Sequence, residues 1–504
     1  MSEALPGMPP APPPAVPRLA SVVVLYRRVG PNVEVFWVKR EKALAFAGGF
    51  YAFPGGKVDK ADAQVPMRGA EGEQAALRVA AARELFEEAG VLVAEGAEAL
   101  GPERVKELRR ALLSGQRGWK ALLDEAGLSL RAEDFHEAGR WITPPYMPVR
   151  FDTYFYLVEV PPHAQAEFLP GELAEATWVV PAEALARWEQ GTALLHPPNL
   201  HALQVLGRFD TRGQVLERLC APPHCPDFLA TIIEFQQGVR LVPMATPTLP
   251  PATHTNTYVL GNGELLIIDP GAEDSLECER LFEVLDILKA EGRRPVAVLL
   301  THHHGDHIGG AKLLKDRLGL PLWCHARTAD RLDVPAERIL EDGDVLELAG
   351  TPPQRWRVLH TPGHARGHVC LVDERSHAAV VGDMVAGVGT IVIDPPEGNM
   401  RDYLTQLARL RDLPVTTIYP AHGGAIPDGP GKLQEYIQHR AAREARIMEA
   451  LPTEGATVAQ VVEVAYADTP AFLHPVAERS ALATLEKLVE EGRARVEHGR
   501  YFLT

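Results

Sequence analysis

The sequence predicts an α/β multidomain protein, and three observations carry that expectation. Apolar strand-like runs alternate with amphipathic helical segments in two long stretches, the pattern of layered sheet-and-helix domains. Between those stretches VPMATPTLPPATHT (residues 242–255) replaces any periodicity with four prolines and four threonines. The last ~50 residues change character again, to helical segments closed by a hairpin, and a chain of 504 residues has room for roughly three domains of ~150 residues. The expected layout is a Pro-rich disordered tail over 1–17, then folded parts over 18–235, 239–450 and 451–504.

In chain order, Pro9, Pro10, Pro12, Pro13 and Pro14 favour an extended, solvated tail. SVVVLYR and VEVFWVK read as two strands joined by a turn at Gly30-Pro31. Helical patterns follow over Glu73–Glu88 and Pro102–Glu125, and RFDTYFYLVEV (150–160) alternates as a strand should. A helix-rich stretch is expected to run on to Gln237. After residues 242–255 come the strands NTYVL, ELLIID, VAVLLT, QRWRVLHT, AAVVGD and TTIYP, with helical segments such as SLECERLFEVLDILKAEG among them. At the end, TVAQVVEVAYA and ERSALATLEKLVEEG read as helices, and RARVEHGRYFLT as a hairpin turning at His498-Gly499.

The net charge of −16 argues against binding nucleic acid through a whole-surface positive field, although a local basic groove is compatible with it. Five scattered cysteines (Cys220, Cys225, Cys278, Cys324, Cys370) make a poor disulfide framework and suggest a reducing compartment. Cys220 and Cys225 flank His224, but their spacing fits no common zinc pattern, so ordinary thiols are expected there. The N-terminus has neither the basic start nor the apolar core of a signal peptide, and no apolar run approaches the ~20 residues of a membrane span. The expectation is a cytoplasmic protein that does not engage a membrane.

The chemistry concentrates first in VAVLLT-HHHGDHIGG. His302, His304, Asp306 and His307 fall within six residues on a loop leaving an apolar strand. Imidazole and carboxylate are the ligand types that suit Zn²⁺. Gly305, Gly309 and Gly310 are expected to let the backbone turn closely around the ions. His364 in TPGH, Asp383 in GD and His422 in AHG each follow a further strand. A lone Asp383 would be read as a turn residue; five histidines and two aspartates, each at a strand end, are read as one metal centre. His303 is expected to point away from it, and His368 to line the pocket.

HxHxDH, TPGH, GD and a late AHG resemble the metallo-β-lactamase superfamily. That resemblance implies an αββα sandwich in which His302, His304 and His364 hold one zinc ion. Asp306, His307 and His422 would hold the other, with Asp383 bridging and Asp306 also a catalytic residue. Two cations sharing a water would lower its pKa and present hydroxide to a carbonyl or phosphorus. Residues 239–504, through THTNTYVLG, GTIVIDPPEGNMRDYLTQL and KLQEYIQHRAAREARIMEAL, are similar to the β-lactamase-like protein 2 group, an endoribonuclease-type branch with a C-terminal winged helix. The substrate implied is a phosphodiester, RNA foremost; a glyoxalase-II-like thioesterase is the alternative. The wing offers Arg493, Arg495 and Arg500, few enough cations that packing is an alternative role.

A second constellation lies in AARELFEEAGV, where Glu84, Glu87 and Glu88 share one helical face and Gly90 ends the helix. A solvated acidic face would account for the glutamates alone. With FPGGKVD upstream, however, the segment resembles the core of the Nudix box over residues 18–235, implying an α/β/α sandwich. In that family Arg83 orients a glutamate, while Glu84, Glu87 and Glu88 hold Mg²⁺ or Mn²⁺, with Glu87 and Glu88 as the catalytic pair acting on a nucleoside-diphosphate-linked small molecule. About thirteen extra residues separate Gly56 from Arg83, so the upstream carboxylate falls on Asp62 counted from Gly56, or near Ala75 and Glu73 counted back from Arg83. The insertion resembles a sub-family that includes coenzyme A diphosphatases. Arg40 and Gly49 fit its signature, but Ala45 stands where an arginine is expected. A Nudix domain that only senses a nucleotide is the alternative from another functional class.

Overall fold

The computed structural model describes residues 13–42, 44, 47–169, 173–208 and 211–504. Pro9, Pro10, Pro12 and most of the tail, together with Ala45, lie outside the described residues. The chain divides into two compact units, Pro13–Gln237 and Gly238–Thr504.

The first unit is built on a mixed seven-stranded sheet. Its path runs Tyr51–Ala52, Asn32–Arg40, Arg18–Val29, Phe151–Glu159 and His136–Ile142, with Gly55–Lys57 pairing on Arg18–Val29 and Leu173–Val179 on Asn32–Arg40. The run SVVVLY is apolar at successive positions because both faces of its strand are covered. Val23 and Leu25 enter one core with Leu77, Leu85 and Phe86 of the helix Gly72–Ala89. Val24 and Tyr26 enter the opposite core with Ala184, Trp188, Leu203 and Val215 of the helices Pro181–Glu189, Pro197–Leu206 and Arg212–Cys220. The result is an α/β/α sandwich.

The expected helix over Pro102–Glu125 is two helices, Pro102–Leu113 and Trp119–Ala126. The intervening SGQRG breaks it, since Gly115 takes a φ of +71° and Gly118 caps the second segment in extended conformation. The stretch read as helix-rich up to Gln237 also contains the strand Leu173–Val179, whose LAEATWV lacks a clean alternation.

In the second unit the strands Val239–Ala245, His254–Leu260, Glu264–Ile268, Arg294–Leu299, Leu322–His325 and Arg338–Leu340 lie side by side in chain order. The first three pair antiparallel and the rest parallel. The segment 242–255 therefore begins inside a strand: Val242–Ala245 pair with His254–Thr257 despite Pro243. A second, five-stranded sheet runs Val345–Leu348, Gln354–His360, Val369–Asp373, Ala379–Gly382 and Ile418–Pro420. Helices cover the outer faces. Leu281, Leu285 and Leu288 of Ser275–Ala290 are buried at the first sheet, and Tyr403, Leu407, Leu433 and Tyr436 of Met400–Asp412 and Gly429–Glu449 pack on Ala379, Val381 and Ile418 of the second. This is the αββα order.

The C-terminal part follows its reading closely. The helix Val458–Ala465 opens with a Thr457–Gln460 capping box, and His474–Glu490 and the hairpin Ala494–Glu497/Arg500–Leu503 follow. Val461, Val462, Leu485, Leu488, Ala494 and Tyr501 close a small core. Ser480 ties it to the sandwich, its Oγ accepting the Ile393 N–H at 3.1 Å. Among the described residues no helix is long and apolar enough to cross a membrane.

Candidate functional site

In the second unit His302 and His304 follow the strand Arg294–Leu299, but Asp306 and His307 lie on the one-turn helix Gly305–Ile308 and not on a loop as expected, while His364, Asp383 and His422 each follow a strand of the other sheet. The structure brings all seven together. The ligand atoms of His302, His304, His364 and Asp383 lie within 4.8 Å of one another, as do those of Asp306, His307 and His422. His302 Nε2 and His364 Nε2 both face His304 Nδ1, at 3.0 and 2.9 Å. Asp383 stands between the groups. Its Oδ2 lies 3.4 Å from His364 Nε2, and its Oδ1 lies 3.3 Å from His422 Nε2 and 3.6 Å from His307 Nε2. Asp306 Oδ2 is 3.6 Å from His422 Nε2.

The outer ring nitrogens settle the tautomers. His307 Nδ1 donates to Asp269 Oδ2 at 2.9 Å, His364 Nδ1 to the Val392 carbonyl at 2.8 Å, and His422 Nδ1 to the His254 carbonyl at 3.0 Å. His302 Nδ1 lies 3.0 Å from Thr301 Oγ1, whose own proton goes to Asp269 Oδ2 at 2.6 Å, so the hydroxyl accepts from the ring. With the outer nitrogen donating, a neutral ring presents its inner Nε2 lone pair to the centre. Two such lone pairs converge on His304 Nδ1, which has at most one proton to offer. His307 Nε2 and Asp383 Oδ1 are buried with no hydrogen-bond partner among the described residues. Buried lone pairs crowded without protons between them are what divalent cations resolve, so the donor set fits such ions.

Electrostatics separate the rings: those of the first group are held neutral, whereas the neighbouring carboxylates overcome burial and draw protons onto His307 and His422, which bound cations would displace. Burial holds His302 and His364 below the ordinary imidazole range and pushes His304 down to about 2. Burial opposes a charge on His307 too, but Asp383, Asp269 and Asp306 outweigh it and hold that ring well above its usual value. Burial would likewise raise Asp383, whereas His422 and His307 keep it ionised.

Three residues of this centre escaped the sequence reading. Asp269 is 2% exposed and accepts the Thr301 N–H at 2.7 Å as well as the Thr301 hydroxyl and His307. The signal available was an aspartate at the end of the apolar run ELLIID. Thr301 relays Asp269 to His302. His368 does not line the pocket as expected but is fully buried: its Nε2 accepts the Asp383 N–H at 3.0 Å and its Nδ1 pairs with Thr361 Oγ1 at 2.8 Å. It positions Asp383 instead. The loop glycines also differ from expectation. A Cβ on Gly305 would meet open space, and one on Gly309 would strike the Gly271 carbonyl at 2.4 Å, so Gly309 serves the approach of a neighbouring loop. His303, His325 and His360 belong to neither ligand group, and the last two stack on each other at 4.1 Å. All five cysteines are free, and Cys220, His224 and Cys225 form no ligand cluster among the described residues.

In the first unit Glu84, Glu87 and Glu88 of the helix Gly72–Ala89 line a cavity of 670 Å³. Among the described residues their carboxylates are not gathered as the histidines and aspartates are. Arg83 Nη1 donates to Glu84 Oε1 at 2.7 Å and Glu87 Oε2 at 3.2 Å, and the Gly55 N–H donates to Glu88 Oε2 at 3.0 Å. Gly56 leaves room for the Glu84 carboxyl, since a Cβ there would lie 2.5 Å from it and displace it. Arg83 also grips Asp62 through Nε and Nη2, at 2.9 and 3.0 Å. The upstream carboxylate that pairs with Arg83 is thus Asp62, 1% exposed, while Glu73 is exposed. Burial, reinforced by Glu87 and Asp62 against the pull of Arg83, raises Glu84 to about 7. Gly90 ends the helix at a φ of +70°.

The αββα sandwich with its paired His/Asp groups defines a metallo-β-lactamase-fold hydrolase. Residues 250–422 match the model of the metallo-beta-lactamase superfamily, residues 64–206 that of the NUDT19 Nudix domain, and residues 457–500 that of the beta-lactamase associated winged helix domain. A beta-lactamase-like protein 2 homolog from Drosophila melanogaster is 34% identical over 253 residues, covering 48% of this chain and 84% of that protein. The chain belongs to the metallo-beta-lactamase superfamily, related there to beta-lactamase-like protein 2, and it also carries a Nudix domain and a winged helix. An atrochrysone carboxyl ACP thioesterase from Aspergillus chevalieri is 34% identical over 200 residues, 39% of this chain and 60% of that one. Among solved structures, a Nudix hydrolase from Alicyclobacillus acidocaldarius is 30% identical, with a TM-score of 0.36, covering 41% of this chain and 99% of that one. Members of both hydrolase families bind divalent metals.

Proposed function

We propose that the second unit is a binuclear zinc hydrolase acting on phosphodiesters, RNA foremost. The observation that carries the binuclear reading is the place of Asp383, whose two oxygens face the two histidine groups separately. His302, His304 and His364 would hold one ion, Asp306, His307 and His422 the other, and Asp383 both. Zinc bound there would supply an activated water and neutralise charge developing on the attacked group. The chain's own contribution is positional: Asp269, Thr301, Val392 and His254 fix the ring orientations, and His368 fixes the Asp383 backbone. The phosphodiester reading draws on the likeness to the endoribonuclease-type branch, which extends over the winged helix as well as the sandwich. The wing's three arginines all have partners: Arg493 pairs with Glu444 and Glu491, Arg495 with Glu497, and Arg500 donates to the Gly455 carbonyl. A role for the wing in packing fits those pairs better than direct contact with RNA.

A thioesterase is the second reading, favoured by the relatives named as acyl-carrier-protein thioesterases. Incubating purified protein with RNA and with an acyl thioester, each with and without chelator, separates the two. Chelator-sensitive RNA cleavage is expected; chelator-sensitive thioester cleavage with intact RNA would overturn the phosphodiester reading. The Nudix domain is read as a Mg²⁺- or Mn²⁺-dependent diphosphatase whose cation is held by Glu84, Glu87 and Glu88. Turnover of a diphosphate is expected on adding Mg²⁺, and tight binding without turnover would establish a sensor.

A further inference from the structure

The carbonyl that orients His364 belongs to a stretch with no regular structure of its own. His364 Nδ1 donates to the Val392 carbonyl at 2.8 Å, and Val392 sits in GVGTIVIDPPEG (387–398). That stretch lies between the strand Ala379–Gly382 and the helix Met400–Asp412 and belongs to neither. Gly387 and Gly389 at one end, with Pro395 and Pro396 at the other, break any helix or strand pattern. Where such backbone is buried, its polar groups need partners from elsewhere.

Here the C-terminal helices supply them. Arg440 of Gly429–Glu449, itself buried, donates through Nη2 to the Ile391 carbonyl and to Thr390 Oγ1, the latter at 3.3 Å. Ser480 of His474–Glu490, also buried, accepts the Ile393 N–H at 3.1 Å. Ile393 is fully buried in one core with Leu433, Tyr436 and Ala483 of the same two helices. Arg479 reaches Asp394 at 3.2 Å as well, but both side chains are half exposed and the pair contributes little.

Peptide planarity gives these bonds a shared target. The Val392 carbonyl and the Ile393 N–H lie in one rigid plane, and the Ile391 carbonyl lies in the plane before it. Ser480 therefore fixes the very unit that meets the His364 ring, and Arg440 fixes its neighbour. Packing alone would be met by alanine at 480, as it is at Ala477, Ala481 and Ala483 of the same helix.

We propose that the winged helix serves the metal centre of its own chain: Ser480, seconded by Arg440, is a positioning residue that holds the Val392 peptide, and through it the His364 ring, so that the seating of the wing sets affinity for the ion of the first group. The inference rests on the binuclear reading above.

The test is zinc retained per full-length chain after equilibration against a graded chelator, for wild type, Ser480→Ala, Arg440→Met and Val461→Ala. Val461 is fully buried in the wing's own core on its other helix, so truncating it loosens the wing without removing either bond. Ser480→Ala and Arg440→Met should each weaken retention of one ion about tenfold. That is the low end of the loss when a ligand's outer partner is removed, because the carbonyl is loosened and not deleted. Val461→Ala should stay within twofold of wild type. In metal-free protein, Ser480→Ala should also speed amide exchange at Ile393. Should Ser480→Ala not fold, Arg440→Met carries the test on its own. Retention within twofold of wild type in the folded Ser480→Ala and Arg440→Met variants would overturn the proposal. So would an equal loss in Val461→Ala, since affinity would then follow wing stability at large. Wild type that retains no zinc would overturn the metal-centre reading with it.

Discussion

Replacing Asp269 with asparagine probes the metal centre without touching a ligand. The carboxylate accepts from the Thr301 N–H, the Thr301 hydroxyl and His307 Nδ1, at 2.7, 2.6 and 2.9 Å. An asparagine keeps one acceptor oxygen but turns the other position into a donor, which then faces the Thr301 hydroxyl and the His307 ring. His307 must then lose its outer bond or move its proton to Nε2, the nitrogen aimed at the ions. Removing such outer partners lowers metal affinity about 10- to 100-fold, or about 1.4–2.7 kcal/mol. The lost charge-assisted bonds at a buried site cost a further ~1.5–3 kcal/mol of stability. The assay is metal retained per chain after equilibration against a graded chelator, alongside a denaturant melt of the metal-free protein. Retention within twofold of wild type, in a variant that folds normally, would refute the claim that Asp269 orients His307.

Asp383→Ala should drop metal content below half of wild type and abolish chelator-sensitive hydrolysis, because its oxygens face both ligand groups; metal analysis on the purified variant checks it. Stripping the metal from wild type should lower the melting midpoint by about 10 °C, the scale expected when a ligand far above its dissociation constant is removed from a domain of this size. Arg83→Met leaves Asp62, 1% exposed, as a buried carboxylate without its guanidinium, and should cost about 3–5 kcal/mol in urea denaturation. His196 provides a pH test. Burial, aided by Arg40, lowers its pKa to about 4 from an ordinary 6.5, so its neutral form contributes stability that is complete above pH 6.5 and is lost as pH falls towards 4. The loss amounts to roughly 1.4 kcal/mol per pH unit in that window. His196→Phe should shrink the difference between melts at pH 7.5 and 4.5 by about 2–3 kcal/mol, and an unchanged difference would count against the assignment.

Much of the fold was legible because apolar runs announce covered strands, as SVVVLY and VAVLLT do. The candidate metal residues were legible because each segment that carries them comes soon after such a run. What escaped was mostly long-range. Asp269 is engaged by groups 32 and 38 residues away, and no local pattern marks an aspartate as the partner of a later loop. His368 looked like a pocket residue because it sits four residues after a ligand, whereas its ring faces the backbone of Asp383 on the adjacent strand end. Asp62 and Glu73 were equivalent candidates in the sequence, since an insertion erased the spacing; only the grip of Arg83 separates them. The split of Pro102–Glu125 was foreshadowed by SGQRG but hidden by apolar positions that continue on both sides of it.

The seven candidate ligands are divided between the two sheets, four on the segment that follows a strand of the first and three after strands of the second. Cations seated among them would therefore act as rivets through the seam of the sandwich, beyond their part in any reaction. Energy released on coordination would go directly into keeping the layers closed. Starving the protein of metal should accordingly show itself first along that seam, as faster amide exchange at the inner ends of Arg294–Leu299 and Ala379–Gly382, ahead of any change in the outer helices.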